Sequence, residues 1–228
     1  NEIGTIQPIR GIAALCHERG IVMHTDAAQS VGKVRTFVDE LEVDLLSIAG
    51  HKLYAPKGVG AIFVRRGTPL EPLLHGAGHE GGLRAGTENV PHIVAIGEAA
   101  RLAGEDLRAT GKRLAGLRDG LYRRLLDAVP GLLLNGDPEH GLPNTLHVTF
   151  PGVSGRALLA AADGVAASVG SACHSGSDAV SGVLAAMGCD AARARGAIRL
   201  SGGRYTDEEE IARASQMLAS AWSRLPKA

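Results

Sequence analysis

The chain has 228 residues, 45% of them hydrophobic, enough to bury one large core or two smaller ones. Lys plus Arg and Asp plus Glu both number 24, so the net charge points to neither nucleic acid nor an anionic membrane, and a small neutral or zwitterionic ligand fits better. No apolar run approaches the ~20 residues a membrane helix needs, no signal-peptide pattern opens the chain, and the sparse Cys16, Cys173 and Cys189 argue against a disulfide framework. A soluble, cytoplasmic protein in a reducing compartment is the expectation.

The chain opens on Asn1 without a methionine, and Asn-Glu-Ile-Gly reads as the middle of a loop, so residues upstream are expected. Pro8 precedes Ile9, Ile12, Ala13 and Cys16 at i, i+3, i+4, i+7 spacing, closed by Gly20, which predicts an amphipathic helix. Residues 21–24 and 43–48 are short apolar runs ending in Thr25-Asp26 and Gly50-His51-Lys52, read as buried parallel strands. In open α/β sheets ligands bind outside the carboxyl ends of strands, so Asp26 and Lys52 can reach one ligand. A third strand is expected over residues 58–64, a glycine-rich loop over 76–86, and helix from Ile93 to about Leu126. The charged stretch 105–124 suggests a solvated helix bridging two lobes.

Beyond it the pattern alternates: strand 145–150, helix 155–162, strand 165–169, loop 170–177, helix 180–187, strand 197–200 and a final helix. Thr206 with Glu209 predicts a capping box for that helix, and Ile211, Leu218, Trp222 and Leu225 share its apolar face. The fold class is α/β, in two domains: residues 1–104, and residues 105–228 with 105–126 as the bridging helix.

A lone lysine after a strand is ordinarily a surface charge. Here His51-Lys52 follows one apolar strand and an aspartate ends its neighbour, which suits a cofactor needing an amine for its aldehyde and a carboxylate for its pyridine nitrogen. Cys16 reads as a buried core thiol and Cys189 as a helix-ending residue, whereas small polar neighbours around Cys173 predict an exposed, reactive thiol.

Five segments in order, His24-Thr25-Asp26-Ala27-Ala28-Gln29, Ala49-Gly50-His51-Lys52, Gly82-Leu83-Arg84-Ala85-Gly86-Thr87-Glu88-Asn89, Gly170-Ser171-Ala172-Cys173-His174-Ser175-Gly176 and Ile198-Arg199-Leu200-Ser201, resemble the motifs of NifS/IscS-type cysteine desulfurases. The resemblance spans essentially the whole chain. It implies part of a pyridoxal-phosphate fold-type I large domain, mainly parallel sheet flanked by helices, followed by a smaller α/β domain. It implies pyridoxal 5'-phosphate linked to Lys52, with Asp26 on the ring nitrogen and Gln29 and Asn1 on the ring hydroxyl. His51 would contact the phosphate, and Thr87 the phosphate of a neighbouring subunit, hence a homodimer. Arg199 would bind the substrate carboxylate and Asn1 the substrate too, and Cys173 would take sulfur from L-cysteine as a persulfide and pass it to an acceptor protein; the composition of residues 171–182 suits a loop that swings to carry it. Family members feed iron–sulfur assembly, tRNA thiolation or DNA modification, and no residue here chooses among them.

Where family members often carry a serine three positions before the lysine, this chain has Ala49, and Ser47 lies on the same strand face. The family's ring-stacking histidine lies in a segment not present here, so the chain alone is expected to be inactive, with the missing segment possible as a separate chain. Rival readings are a selenocysteine lyase, from Leu142-Pro143-Asn144-Thr145 and Ala172-Cys173-His174-Ser175, and a fragment that only docks partners. A zinc site from His75, His79, His24, Asp26, His51 and Cys173-His174 is disfavoured, because His-Gly-Ala-Gly-His is a poor helix.

Overall fold

The computed structural model describes residues 1–169 and 181–227. The chain divides into two compact units, Gln7–Arg108 and a second made of Asn1–Ile6 with Ala109–Ala228. Residues 1–6, expected to share a domain with residues 7–104, therefore pack with the second unit instead.

In the first unit, helix α1 (Ile9–His17) starts after Pro8 and turns Ala13 inward. Strands β1 (His24–Asp26), β2 (Leu45–Ala49) and β3 (Gly60–Val64) form one sheet in that order. The pairing of β1 with β2 is parallel, as expected, and that of β2 with β3 antiparallel. β1 begins later than the apolar run suggested, because Ile21 and Val22 are exposed, and pairing starts only at His24 opposite Leu45. The core is small: Ala13, Ala27, Val43 and Leu46, with Ile9, Met23, Ile48 and Phe63 packed around it. Arg65 fastens the edge through Nε to the Val43 carbonyl (3.0 Å) and Nη2 to the Val38 carbonyl (3.0 Å), at the short helix α2 (Val38–Leu41).

The helical pattern from Ile93 onward is two helices, α3 (Val90–Glu105) and α4 (Leu107–Ala128), separated at Asp106 (φ −124°, ψ 26°). Nor is the charged stretch solvated all round. Leu114, Leu117, Leu121 and Leu125 form a stripe at helical spacing that α4 buries in the second unit's core.

The second unit holds the antiparallel sheet β4 (Leu133–Leu134), β5 (Thr145–Thr149) and β6 (Ala197–Ser201), in that order. Packed with it are α5 (Gly155–Ala161), α6 (Gly182–Ala186), α7 (Ala191–Arg195) and α8 (Glu208–Arg224). Phe150, Leu125, Leu158, Ile198 and Leu218 are all fully buried in one cluster. β5 is buried along its whole length, so apolar side chains face one side and Thr145, His147 and Thr149 the other. Residues 165–169, expected as a strand, make only the isolated bridge between Ser168 and Arg199. The capping box of α8 is one residue later than predicted. Asp207 accepts from the Glu210 N–H (2.8 Å), and the Glu210 carboxylate accepts from the Asp207 N–H (3.3 Å). Thr206 instead accepts from the Gly203 N–H at 2.9 Å, closing the preceding turn.

Candidate active site

Because β1 and β2 are parallel neighbours with Asp26 opposite Ser47, their carboxyl ends lie at one edge of the first sheet. The Ala27 N–H donates to the Ser47 carbonyl (2.9 Å), and Asp26 Oδ1 accepts from the Ala28 N–H (2.8 Å), so the turn after β1 is pinned by its own aspartate. Gln29 sits half-buried in that turn, and the Asp26 side chain is exposed.

The chain leaves β2 through a single 3-10 turn, Gly50–Leu53, which sorts its residues by burial: Gly50 and Leu53 point in, His51 and Lys52 out. Only glycine fits at position 50, since a Cβ there would lie 2.7 Å from the Val59 carbonyl oxygen. Gly32, at φ +76°, brings the turn after β1 against the same element, where a Cβ would lie 2.6 Å from Leu53 Cδ2. The next residue, Lys33, has its Nζ buried without a hydrogen-bond partner among the described residues. Burial first, and the charge of Lys52 second, hold the Lys33 ammonium below the usual lysine range, which places the two amines within electrostatic reach. Ser47, a possible substitute for the hydroxyl missing at Ala49, is taken: its Oγ lies 2.7 Å from His24 Nε2. Thr87 is exposed in the segment leading to α3.

On the second unit, Arg199 lies half-buried on β6, and its Nη1 donates to the Asn1 carbonyl at 3.0 Å. It forms no ion pair with any described carboxylate. Directly across the sheet from it stands His147, only 1% exposed, a residue the sequence did not single out. Burial, then the charge of Arg199, pushes the His147 imidazole down to about 4. The available signal was the alternation Thr145, His147, Thr149, which marks a polar face on an otherwise apolar strand. Cys173 and its loop lie outside the described residues. Cys16 and Cys189 are both half-buried free thiols, the latter packed against the cluster of Ile3, Leu184 and Ala197.

Among the described residues, no group of three or more His, Cys, Asp or Glu is gathered to hold a metal ion, and His79 Nδ1 instead accepts from the Gly86 N–H at 3.3 Å. No helix among them is long and apolar enough to cross a membrane. A cavity of about 430 Å³ in the second unit, lined by Leu114, Leu117, Leu121, Leu146 and Met217 among others, includes none of the candidate residues.

Residues 1–214 match the class-V aminotransferase family. The cysteine desulfurase IscS of Ehrlichia chaffeensis is 43% identical over 99% of this chain and 56% of its own length. A solved NifS-like protein superposes with a TM-score of 0.89 at 37% identity, covering 98% of this chain and 59% of that one. SspA, solved in complex with cysteine, has a TM-score of 0.73 and 35% identity over 90% of this chain and 57% of its own. The chain thus spans about half the length of the curated relatives it matches.

Proposed function

The chain belongs to the class-V aminotransferase family, and on that premise we propose that it forms the lysine-bearing and sulfur-accepting part of a pyridoxal-phosphate-dependent cysteine desulfurase. One observation carries this reading: an acid, Asp26, and an amine, Lys52, stand at the carboxyl ends of two adjacent strands in parallel register. The IscS relative is named for this activity, and SspA holds cysteine.

The residues fit the cofactor on the structure's own chemistry. The edge offers a carboxylate, an amide, an imidazole and an amine, and the buried Lys33 Nζ beside Lys52 lacks any acceptor among the described residues, a deficit that an anionic phosphorylated ring offsets. Bound there, pyridoxal phosphate supplies an electron sink for the amino acid's α-carbon.

The other roles belong to this chain. Asp26 would keep the ring nitrogen protonated, and Gln29 and Asn1 would hydrogen-bond the ring hydroxyl. His51 would contact the phosphate, and Thr87 would contact that of a second subunit in a homodimer. Lys52 would hold the cofactor's aldehyde and would serve as the general base for the α-proton. Arg199 orients the L-cysteine carboxylate through two parallel N–H donors, and no described carboxylate competes for it. Cys173, as thiolate, would attack the sulfur of L-cysteine, forming an S–S bond as the C–S bond breaks, so that the carbon fragment keeps the electron pair, is protonated and leaves as alanine, and the persulfide remains on the protein for an acceptor. The free thiols suit a reducing, cytoplasmic setting.

The test is reconstitution of the full-length protein with pyridoxal phosphate. A visible absorption band bleached by borohydride, with alanine released from L-cysteine, is expected for the wild type. Lys52→Ala should lose both, and a wild type that takes up no cofactor would overturn the reading.

A further inference from the structure

The polar face of the second sheet carries more than Arg199. Asn135, His147, Arg199 and Ser168 stand in one row across it, each bonded to or opposite the next. Arg199 exchanges both backbone bonds with Ser168, its N–H donating at 2.7 Å and its carbonyl accepting at 3.2 Å. Its backbone groups therefore face away from β5. On the other side, the His147 carbonyl accepts from the Asn135 N–H at 2.9 Å and so faces β4. His147 and Arg199 are thus a non-hydrogen-bonded antiparallel pair, the kind whose Cα atoms approach to about 4.5 Å and whose side chains lie closest. Whatever stands at position 147 flanks the stem of Arg199.

The protons on this row can be assigned. Arg193, on α7, donates from Nε to Asn135 Oδ1 at 2.9 Å, and a guanidinium can only donate, so the Asn135 amide has one orientation. Asn135 Nδ2 then donates to His147 Nδ1 (3.0 Å) and to Thr149 Oγ1 (2.9 Å), while Thr149 Oγ1 donates to the Arg193 carbonyl (3.1 Å). With Nδ1 accepting, the proton of a neutral His147 sits on Nε2. That Nε2–H is buried and has no acceptor among the described residues. A buried donor without an acceptor is costly, so its retention calls for a reason.

Its neighbour supplies one. In this tautomer His147 presents only a donor toward Arg199, so the guanidinium cannot be drawn inward onto the ring. In the other tautomer Nε2 would carry a lone pair, and Arg199 would donate to it. We propose that Asn135 and His147 form a tautomer lock that keeps the Arg199 guanidinium available to a carboxylate ligand. His147 is then a positioning residue, and Asn135 the residue that positions it. The inference rests on the proposed role of Arg199 in binding the substrate carboxylate.

The experiment uses the full-length protein. Nitrogen-15 NMR of the histidine side chains should show His147 as the Nε2–H tautomer. Asn135→Asp, nearly isosteric but an acceptor, should move the proton to Nδ1 and raise KM for L-cysteine roughly tenfold, the worth of one hydrogen bond to a charged group, with kcat little changed. Adding His147→Leu to Asn135→Asp should bring KM back to within about twofold of wild type, because no lone pair remains to capture Arg199. A purely structural role for Asn135 would not be rescued this way.

An Nδ1–H tautomer in the wild type overturns the lock, as does an unmoved proton in Asn135→Asp. A moved proton with unchanged KM, or a double variant no better than Asn135→Asp, does the same. Arg199→Ala is the control. Should it leave KM for L-cysteine unchanged, the assignment of Arg199 fails, whereas a raised KM there with no effect from Asn135→Asp fails the lock alone.

Discussion

The two units hold their polar edges by different means. In the second, Phe150, Leu125, Leu158, Ile198 and Leu218 close a core of large side chains beneath β5 and β6, and Arg199 rides on that platform. In the first, the fully buried cluster is Ala13, Ala27, Val43 and Leu46, while Leu73 (91% exposed), Val94 (64%), Val90 and Ile62 remain open to solvent. A large apolar side chain contributes roughly 1.5–3 kcal/mol on burial and an alanine well under that, so the first unit is less strongly packed. Its Asp26 and Lys52 are held by strand register and one 3-10 turn instead. Substitutions at the first edge should therefore cost chemistry and little stability, whereas those beneath the second should cost stability first.

The largest expected effect sharpens that contrast. Lys52→Ala should lower alanine release by at least roughly 10²–10⁴-fold, the share of a general base, while the melting temperature of the cofactor-free protein stays near wild type because the side chain is exposed. Next, Phe150→Ala should cost about 3–5 kcal/mol in urea unfolding, against about 2 kcal/mol for Leu46→Ala, whose surroundings are smaller and already open. Equal losses at both sites would break the comparison.

Acid should act on the second unit through His147. Its folded pKa of about 4 lies below the ordinary 6.5, so the unfolded chain binds the proton more tightly, and the folded state is favoured above pH 6.5. That contribution is lost as pH falls toward 4, and about 2 kcal/mol should be gone by pH 5. Denaturant unfolding from pH 7 to 5 checks it. His147→Leu should flatten the slope in that window, and an unchanged slope would contradict the assignment.

The smallest effect concerns a single cap. Asp207→Ala should cost about 1 kcal/mol and Thr206→Ala less, since only Asp207 bonds the first turn of α8. Thermal unfolding of the two variants distinguishes the two cap registers.

That cap shows where sequence reading falls short. Thr206-x-x-Glu209 and Asp207-x-x-Glu210 are both well-formed capping boxes, and only the competing bond from Gly203 to Thr206 decides between them. Long periodic elements were legible: α1, α8, β5 and β6 appear where apolar spacing puts them. Elements that depend on partners were not. Residues 165–169 carry a strand's composition but meet a neighbour only at Ser168, and the four leucines of α4 were hidden among charges. Asp26 and Lys52 were readable because each follows an apolar run at a strand end, whereas Thr87 and Arg199 were singled out only by motif resemblance. Lys33, Asn135 and His147 were not visible, since a buried unpaired amine or an imidazole's tautomer is a property of contacts, which no spacing encodes.

The central claim is that Lys52, at the edge it shares with Asp26, is the amine that takes the cofactor's aldehyde. Borohydride reduction of the reconstituted full-length protein, followed by digestion and mass mapping, tests this directly. A pyridoxyl adduct on Lys52 alone is the expected result. An adduct on neighbouring Lys33 with Lys52 unmodified, or none on either, would contradict it.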